Sequence, residues 1–330
     1  MILGAAARVR RVLSAAGLLP ASALPRPVVS VGNLVMGGAG KTPHVIHLAR
    51  WLAGQGRRVG VLSRGYGRKS RGVRWVSDGE GPIATAAEGG DEPVLIARSL
   101  PGIPVVVGES RAAAGREVLS RKNVDVFLLD DGFQHLSLRR DVDLLLVESG
   151  RGLGNGWTAP LGPLREPPSH ARFADALVIT KCHDAESGAR TARSVPFPQG
   201  RPRAFSRLSP GGIVGRDGLP SKEAAAGDAV FAFSGLARNA QFRDTLAEAG
   251  FRVKGFLPFP DHHAYGRGDL ERIAREAGGL PAITTEKDLV RLPGDVPVSI
   301  GALRVEVEYL EGWDEISRMI LDRLDGGYRS

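Results

Sequence analysis

Short apolar runs rich in β-branched residues alternate along the chain with longer stretches whose apolar residues recur every three or four positions. Residues 27–34 (PVVSVGNL) form one such run, followed by a glycine-rich turn and then by 44–54, where Val45, Leu48, Ala49 and Leu52 fall at helical spacing. The pattern predicts strand, loop, helix. Further strands are predicted at 59–63, 105–107, 124–129, 142–147 and 176–180, with helices at 92–99 and 110–121. Alternation of this kind predicts an α/β fold: a mostly parallel sheet with helices on both faces, here over 27–200. Residues 200–227 are rich in Gly, Pro, Ser and Arg and lack long periodicity, so an inter-domain linker is expected at 201–226. Beyond it, strands at 229–233, 252–256, 282–285 and 303–307 and helices at 239–249, 268–277 and 314–324 predict a second, smaller α/β domain over 227–330. No repeat at a solenoid period is present.

Residues 1–20 predict a basic amphipathic helix, with Ile2, Ala5, Val9, Val12, Leu13, Ala16 and Leu19 on one face and Arg8, Arg10 and Arg11 off it. Such a helix either lies in an anionic membrane interface or packs on its own domain, and segment 1–26 is expected to associate with the membrane. A signal peptide cleaved near Ala21-Ser22-Ala23 competes with this reading, but a nucleotide-binding strand starts almost at once. No apolar run reaches the length of about 18 residues that a spanning helix needs.

The length of 330 residues suits two domains, and 42% hydrophobic with 24% charged residues excludes a disordered, collagen-like or disulfide-scaffold chain. Cys182 stands alone, so no internal disulfide forms. Forty-four Lys and Arg against 36 Asp and Glu give a net charge of +8, which points to a polyanionic partner: nucleotide, nucleic acid or an anionic membrane surface. Nucleic acid is set aside, because aromatics are only 6% and no basic motif interleaved with aromatics is present.

Gly37-Gly38-Ala39-Gly40-Lys41-Thr42 lies between a predicted strand and a predicted helix, the context that a phosphate-binding loop requires. Its backbone N–H groups would cradle phosphates, Lys41 would reach the β and γ oxygens, and the Thr42 hydroxyl would hold Mg²⁺. The loop is a variant, since Val35 stands where the full pattern has its first glycine and Met36 where some switch ATPases carry a lysine. Four apolar residues at 126–129 run into Asp130 and Asp131, the form of a strand whose carboxylate meets Mg²⁺ across from the loop hydroxyl. Parallel strands bring both motifs to one crevice. The stretch Thr180-Lys181-Cys182-His183-Asp184 does not fit a guanine-reading motif, so ATP is the expected nucleotide.

Together with these motifs, Gly32-Asn33-Leu34, Ser63-Arg64-Gly65-Tyr66-Gly67, Gly90-Asp91-Glu92-Pro93, Asp130-Asp131-Gly132-Phe133-Gln134-His135, Gly162-Pro163-Leu164-Arg165-Glu166-Pro167, Asp261-His262-His263 and Thr285-Glu286-Lys287-Asp288 make the chain resemble the tetraacyldisaccharide 4'-kinases of lipid A biosynthesis. The blocks follow that family's order over nearly the whole chain. The resemblance implies transfer of the ATP γ-phosphate to the 4'-hydroxyl of an acylated glucosamine disaccharide 1-phosphate at the cytoplasmic face of a Gram-negative inner membrane. It also implies two Rossmann-like domains closing over ATP, and the chain is expected to act as a monomer. The segment before the first strand is shorter and richer in arginine than the family's usual N-terminal anchor.

On this resemblance Asp91 is the base at the reacting hydroxyl and His262 its partner from the second domain, with His263 a competing ring. From the residues alone Asp91 also reads as an ordinary N-cap. Arg165 would bind phosphate and Glu166 would support Mg²⁺ beside Thr42, Asp130 and Asp131. Arg64 is expected to hold the anionic part of the acceptor, and Gln134 and His135 to contact sugar or γ-phosphate. Glu286, Lys287 and Asp288 fall at the nucleotide or at the domain interface. The competing class is a P-loop switch or metallochaperone-type NTPase; a basic membrane scaffold would leave Lys41, Thr42 and the acidic pair without a task.

Overall fold

The computed structural model describes residues 9–14, 16–236, 239–293 and 299–326. Twelve strands form one sheet in the order β10-β9-β11-β12-β8-β7-β6-β1-β5-β2-β4-β3. In chain order the strands are β1 Val28–Asn33, β2 Val59–Ser63, β3 Arg74–Ser77, β4 Val105–Val107, β5 Val126–Asp130, β6 Val142–Glu148, β7 Ala176–Thr180, β8 Arg203–Val214, β9 Ala229–Ser234, β10 Arg252–Pro258, β11 Ala282–Thr285 and β12 Ile300–Glu311. The helices are α1 Lys41–Gly54, α2 Ala86–Gly89, α3 Asp91–Ser99, α4 Arg111–Leu119, α5 Ala185–Ser194, α6 Asn239–Glu248, α7 Arg267–Ala277, α8 Glu286–Leu289 and α9 Trp313–Gly326. All strand pairings are parallel except β3 with β4 and β8 with β12.

The central strands are buried on both faces, which is why they read as unbroken apolar runs. Val29 and Val31 of β1 pack with Val45, Leu48, Ala49 and Leu52 of α1, while Val28 joins Leu62, Phe127, Leu129 and the α4 residues Ala112 and Val118 on the other face. The smaller half has its own core, where Phe231, Phe233 and Leu257 meet Leu270 and Ile273 of α7.

The first half of the stretch expected as a linker is the strand β8. It pairs antiparallel with β12 over Phe205 to Val214, and the chain therefore crosses between the halves as a two-stranded ribbon within one continuous sheet. Ser209, Pro210, Gly211 and Gly212 hide the strand from a pattern reading, since much of this ribbon is exposed and needs no apolar alternation.

The expected N-terminal helix falls partly on residues 1–8 and 15, outside the described residues. Residues 9–14 are helical, but Arg11 is 3% exposed whereas Val9 and Val12 are 58% and 50% exposed. The basic residue goes in and two of the apolar residues face out, the reverse of a helix packed through its apolar face.

Candidate active site

β1 lies between β5 and β6 although the chain goes from β1 to β2, so the strand order reverses there and a crevice opens beyond the carboxyl ends. The loop from β1 to α1 occupies that edge. Gly40 has φ +76° and caps α1, a left-handed conformation that suits glycine. Asn33 donates to the carbonyls of Val35 (2.7 Å) and Gly37 (3.4 Å) and accepts from Lys41 Nζ (3.3 Å), an organising role not read from the sequence. Val35 is buried and bridges Leu164, so the variant position serves to dock the Arg165 loop; the Arg165 amide donates to Leu34 O at 2.8 Å.

That docking brings Arg165 to Asp131, to which it donates at 2.6 Å, while Lys41 Nζ lies 3.5 Å from the other carboxylate oxygen. Asp130 ends β5 beside Val31 of β1, buried, and accepts from Ser63 Oγ at 3.0 Å. Burial first, then the charges of Glu92 and Asp131, push its carboxyl up to about 7. Burial also raises Asp131, but Lys41 and Arg165 outweigh it and leave that carboxyl below its ordinary value. One oxygen on each aspartate, Oδ1, is buried without a hydrogen-bond partner. Asp131 Oδ1 has the Lys41 ammonium at 3.5 Å, Asp130 Oδ1 has no such partner, and carboxylate oxygens free of hydrogen bonds are the donor chemistry of a hard divalent cation.

Across the crevice Asp91 opens α3 after Gly90, whose backbone lies against Gly65 and Tyr66 of the loop following β2; a Cβ on Gly90 would come within 3.1 Å of Gly65. His262 comes from the smaller half, at φ +57°, and its Nδ1 is 3.1 Å from Asp91 Oδ2. Arg291, which the sequence reading missed, donates to the same oxygen at 2.6 Å. Among the described residues nothing donates to Asp91 Oδ1. Burial raises this carboxyl, while the hydrogen bond from His262 and the Arg291 charge more than offset it and hold it below the usual carboxylate range. One position on, Glu92 accepts from Lys287 Nζ at 2.7 Å, a second bridge between the halves.

Other expected residues divide. His263 meets Asp269 at 3.0 Å and stacks on Phe259, so the competing ring is a structural one. Gln134 braces the scaffold: it donates to Asn33 O at 2.9 Å and accepts from Arg165 at 3.4 Å. His135 is lowered to about 4 by burial, then by Arg111, Arg140, Arg10 and Arg64, and stands neutral amid cations. Arg64 is exposed on the loop that follows β2. Glu286 pairs with Arg304 at 3.1 Å, and Asp288 is buried under the Gly235 amide, Tyr265 and Arg291. Glu166, expected beside Mg²⁺, accepts from Arg11 at 2.9 Å and pairs with His170 at 3.1 Å, both buried.

The sequence profile of the tetraacyldisaccharide-1-P 4'-kinases matches residues 1–325. The chain belongs to that family. Tetraacyldisaccharide 4'-kinases of Anaeromyxobacter dehalogenans (strain 2CP-C) and Syntrophus aciditrophicus (strain SB) are each 43% identical to it, over 326 and 306 residues. These alignments cover 94% and 86% of this chain and 85% and 80% of the two relatives. A crystal structure of LpxK from Aquifex aeolicus, an "apo" form in complex with ATP, is similar with a TM-score of 0.82 at 36% identity, covering 98% of this chain and 96% of that one. The fold is that of a P-loop kinase, and membership of a tetraacyldisaccharide 4'-kinase family removes the switch-NTPase alternative.

Proposed function

We infer that this chain transfers the γ-phosphate of ATP to the 4'-hydroxyl of a tetraacyldisaccharide 1-phosphate, a lipid A precursor. The observation that carries the reading is the Asp91 carboxylate, fixed through Oδ2 by His262 and Arg291 with Oδ1 left open, on the crevice edge that also bears the phosphate loop.

The backbone N–H groups of residues 37–42 cradle the ATP phosphates, and Lys41, now against Asp131, balances their charge. Arg165 reaches the same carboxylate from the opposite loop and is placed to meet phosphate oxygens. Mg²⁺ fits the site: the Oδ1 atoms of Asp130 and Asp131, buried without a hydrogen bond, would hold it with the Thr42 hydroxyl. Among the described residues no group of three or more His, Cys, Asp or Glu could hold a metal by itself, as expected for an ion that takes few carboxylates and completes its shell with phosphate and water. When bound it neutralises charge on the β and γ phosphates.

As the 4'-oxygen bonds to the γ-phosphorus, the bond to the β–γ bridging oxygen breaks and ADP leaves with that electron pair. The hydroxyl proton passes to Asp91 Oδ1, while the His262 imidazole on Oδ2 orients the carboxylate and shares the charge. Arg64 and the cationic surroundings of His135 suit the acceptor's 1-phosphate.

For the setting we propose a peripheral monomer at the cytoplasmic face of a Gram-negative inner membrane. The exposed Val9, Val12 and Leu18 and the net charge of +8 support attachment to an anionic surface. No helix among the described residues is long and apolar enough to cross a membrane. The direct test is incubation with γ-labelled ATP and a tetraacylated disaccharide 1-phosphate in detergent. Label moves to the lipid; release of label as free phosphate at the same rate with and without acceptor would contradict the reading.

A further inference from the structure

We propose that Arg291 is a positioning residue for phosphoryl transfer, a buried guanidinium that fixes the Asp91 carboxylate and the His262 ring in one arrangement with Asp91 Oδ1 open to the acceptor hydroxyl. The inference rests on the Asp91–His262 reading given above.

The geometry is that of a bracket. The Arg291 side chain is 5% exposed, and its Nε donates to Asp91 Oδ2 at 2.6 Å across a sequence separation of 200 residues. Its Nη2 lies 3.3 Å from His262 Nδ1, and its Nη1 donates to Asp288 at 3.2 Å and to Gly235 O at 3.4 Å. Asp288 is itself fully buried and held by the Gly235 amide at 3.1 Å, the Tyr265 hydroxyl at 2.9 Å and the Thr285 hydroxyl at 2.6 Å. The His262 amide donates to Gly235 O at 3.3 Å, so the same turn seats the backbone of one dyad member and the guanidinium that grips the other. A planar fork held at its base in this way fixes the Asp91 oxygen that also takes the hydrogen bond from His262 Nδ1, with the ring held alongside, a geometry that a flexible ammonium does not reproduce.

The consequence for chemistry follows from charge. The charged groups facing Asp91 are His262 and Arg291, with Asp261 lying 4.0 Å beyond the His262 ring, Asp288 behind Arg291, and Glu92 alongside, matched to Lys287. Arg291 favours the ionised carboxylate and therefore keeps the base ready at low pH.

The test uses the full chain with γ-labelled ATP and the tetraacylated disaccharide 1-phosphate in detergent, following kcat, KM for ATP and the pH profile. Arg291→Gln is expected to lower kcat on the order of 10²-fold, the size of loss that follows a misplacement of about 1 Å, with KM for ATP unchanged. Its acidic limb moves to higher pH, because Asp91 loses the cation that keeps it ionised. Arg291→Lys restores the limb and part of kcat. A kcat for Arg291→Gln equal to that of the parent, or a loss with the acidic limb unmoved, overturns the proposal. If Arg291→Gln does not fold, Arg291→Lys decides alone: reduced kcat with ATP affinity kept supports the role, and parental kcat refutes it. Asp91→Asn separates the two layers, since an active Asp91→Asn refutes the dyad, whereas an inactive one beside an active Arg291→Gln refutes only the bracket.

Discussion

Arg11 donates to Glu166 at 2.9 Å with both side chains buried, and this pair ties the N-terminal segment to the loop that carries Arg165. The Arg11 guanidinium also lies 4.2 Å from the centre of the Phe133 ring, two residues beyond Asp131. A helix expected to touch the membrane is thus fastened through Arg11 to the Arg165 loop.

Removing one partner of a buried pair leaves the other charge uncompensated, at about 3–5 kcal/mol. Arg11→Ala is expected to lose stability on that scale in chemical denaturation, with a lowered Tm. A variant as stable as the parent would show that the pair adds nothing.

Val9, Val12 and Leu18 are exposed on the same segment, so their replacement by serine leaves the Arg11 anchor in place. The triple variant is expected to sediment less with anionic vesicles and to raise KM for the lipid acceptor more than for ATP. Unchanged sedimentation would mean that the segment serves only the fold.

Lys41→Ala and Thr42→Ala are expected to keep the fold and lose transfer, by on the order of 10²-fold or more, because each group acts on phosphate or metal charge. Circular dichroism checks the fold and steady-state kinetics the loss. Near-parental turnover in either variant removes the phosphate-loop assignment.

Asp130 gives a pH signature. Its carboxyl rises from 3.8 to about 7 in the folded protein, so across that window the folded state holds a proton that the unfolded chain has released. Its contribution is present below the lower value and lost as pH rises through the upper one. Metal-free Asp130→Asn should therefore gain Tm over the parent at pH 8 and lose that advantage progressively as pH falls toward 3.8, while being inactive. Parallel Tm curves across this range would contradict the burial argument.

The sheet was legible in the sequence because strands buried on both faces leave unbroken apolar runs, as at β1, β2, β5, β6 and β7, and the phosphate loop because glycines and Lys41 sit between strand and helix. β8 escaped because an antiparallel ribbon with an exposed face tolerates Ser, Pro and Gly. The partners of Glu166 were not legible because adjacency to Arg165 says nothing about side-chain direction: Arg165 meets Asp131, and Glu166 meets Arg11 and His170. Arg291 carried no local signal for this role, since Asp91 and His262 lie 200 and 29 positions away.

The central claim is that Asp91 and His262, from opposite halves of the chain and 3.1 Å apart, accept the proton as one unit. The measurement that tests it most directly is kcat for Asp91→Asn, His262→Ala and the double variant with the lipid acceptor. The account predicts that each single variant loses most of kcat with ATP binding kept, and that the double is hardly worse than the worse single. Losses that simply add, or that fall on ATP affinity instead of kcat, would contradict it.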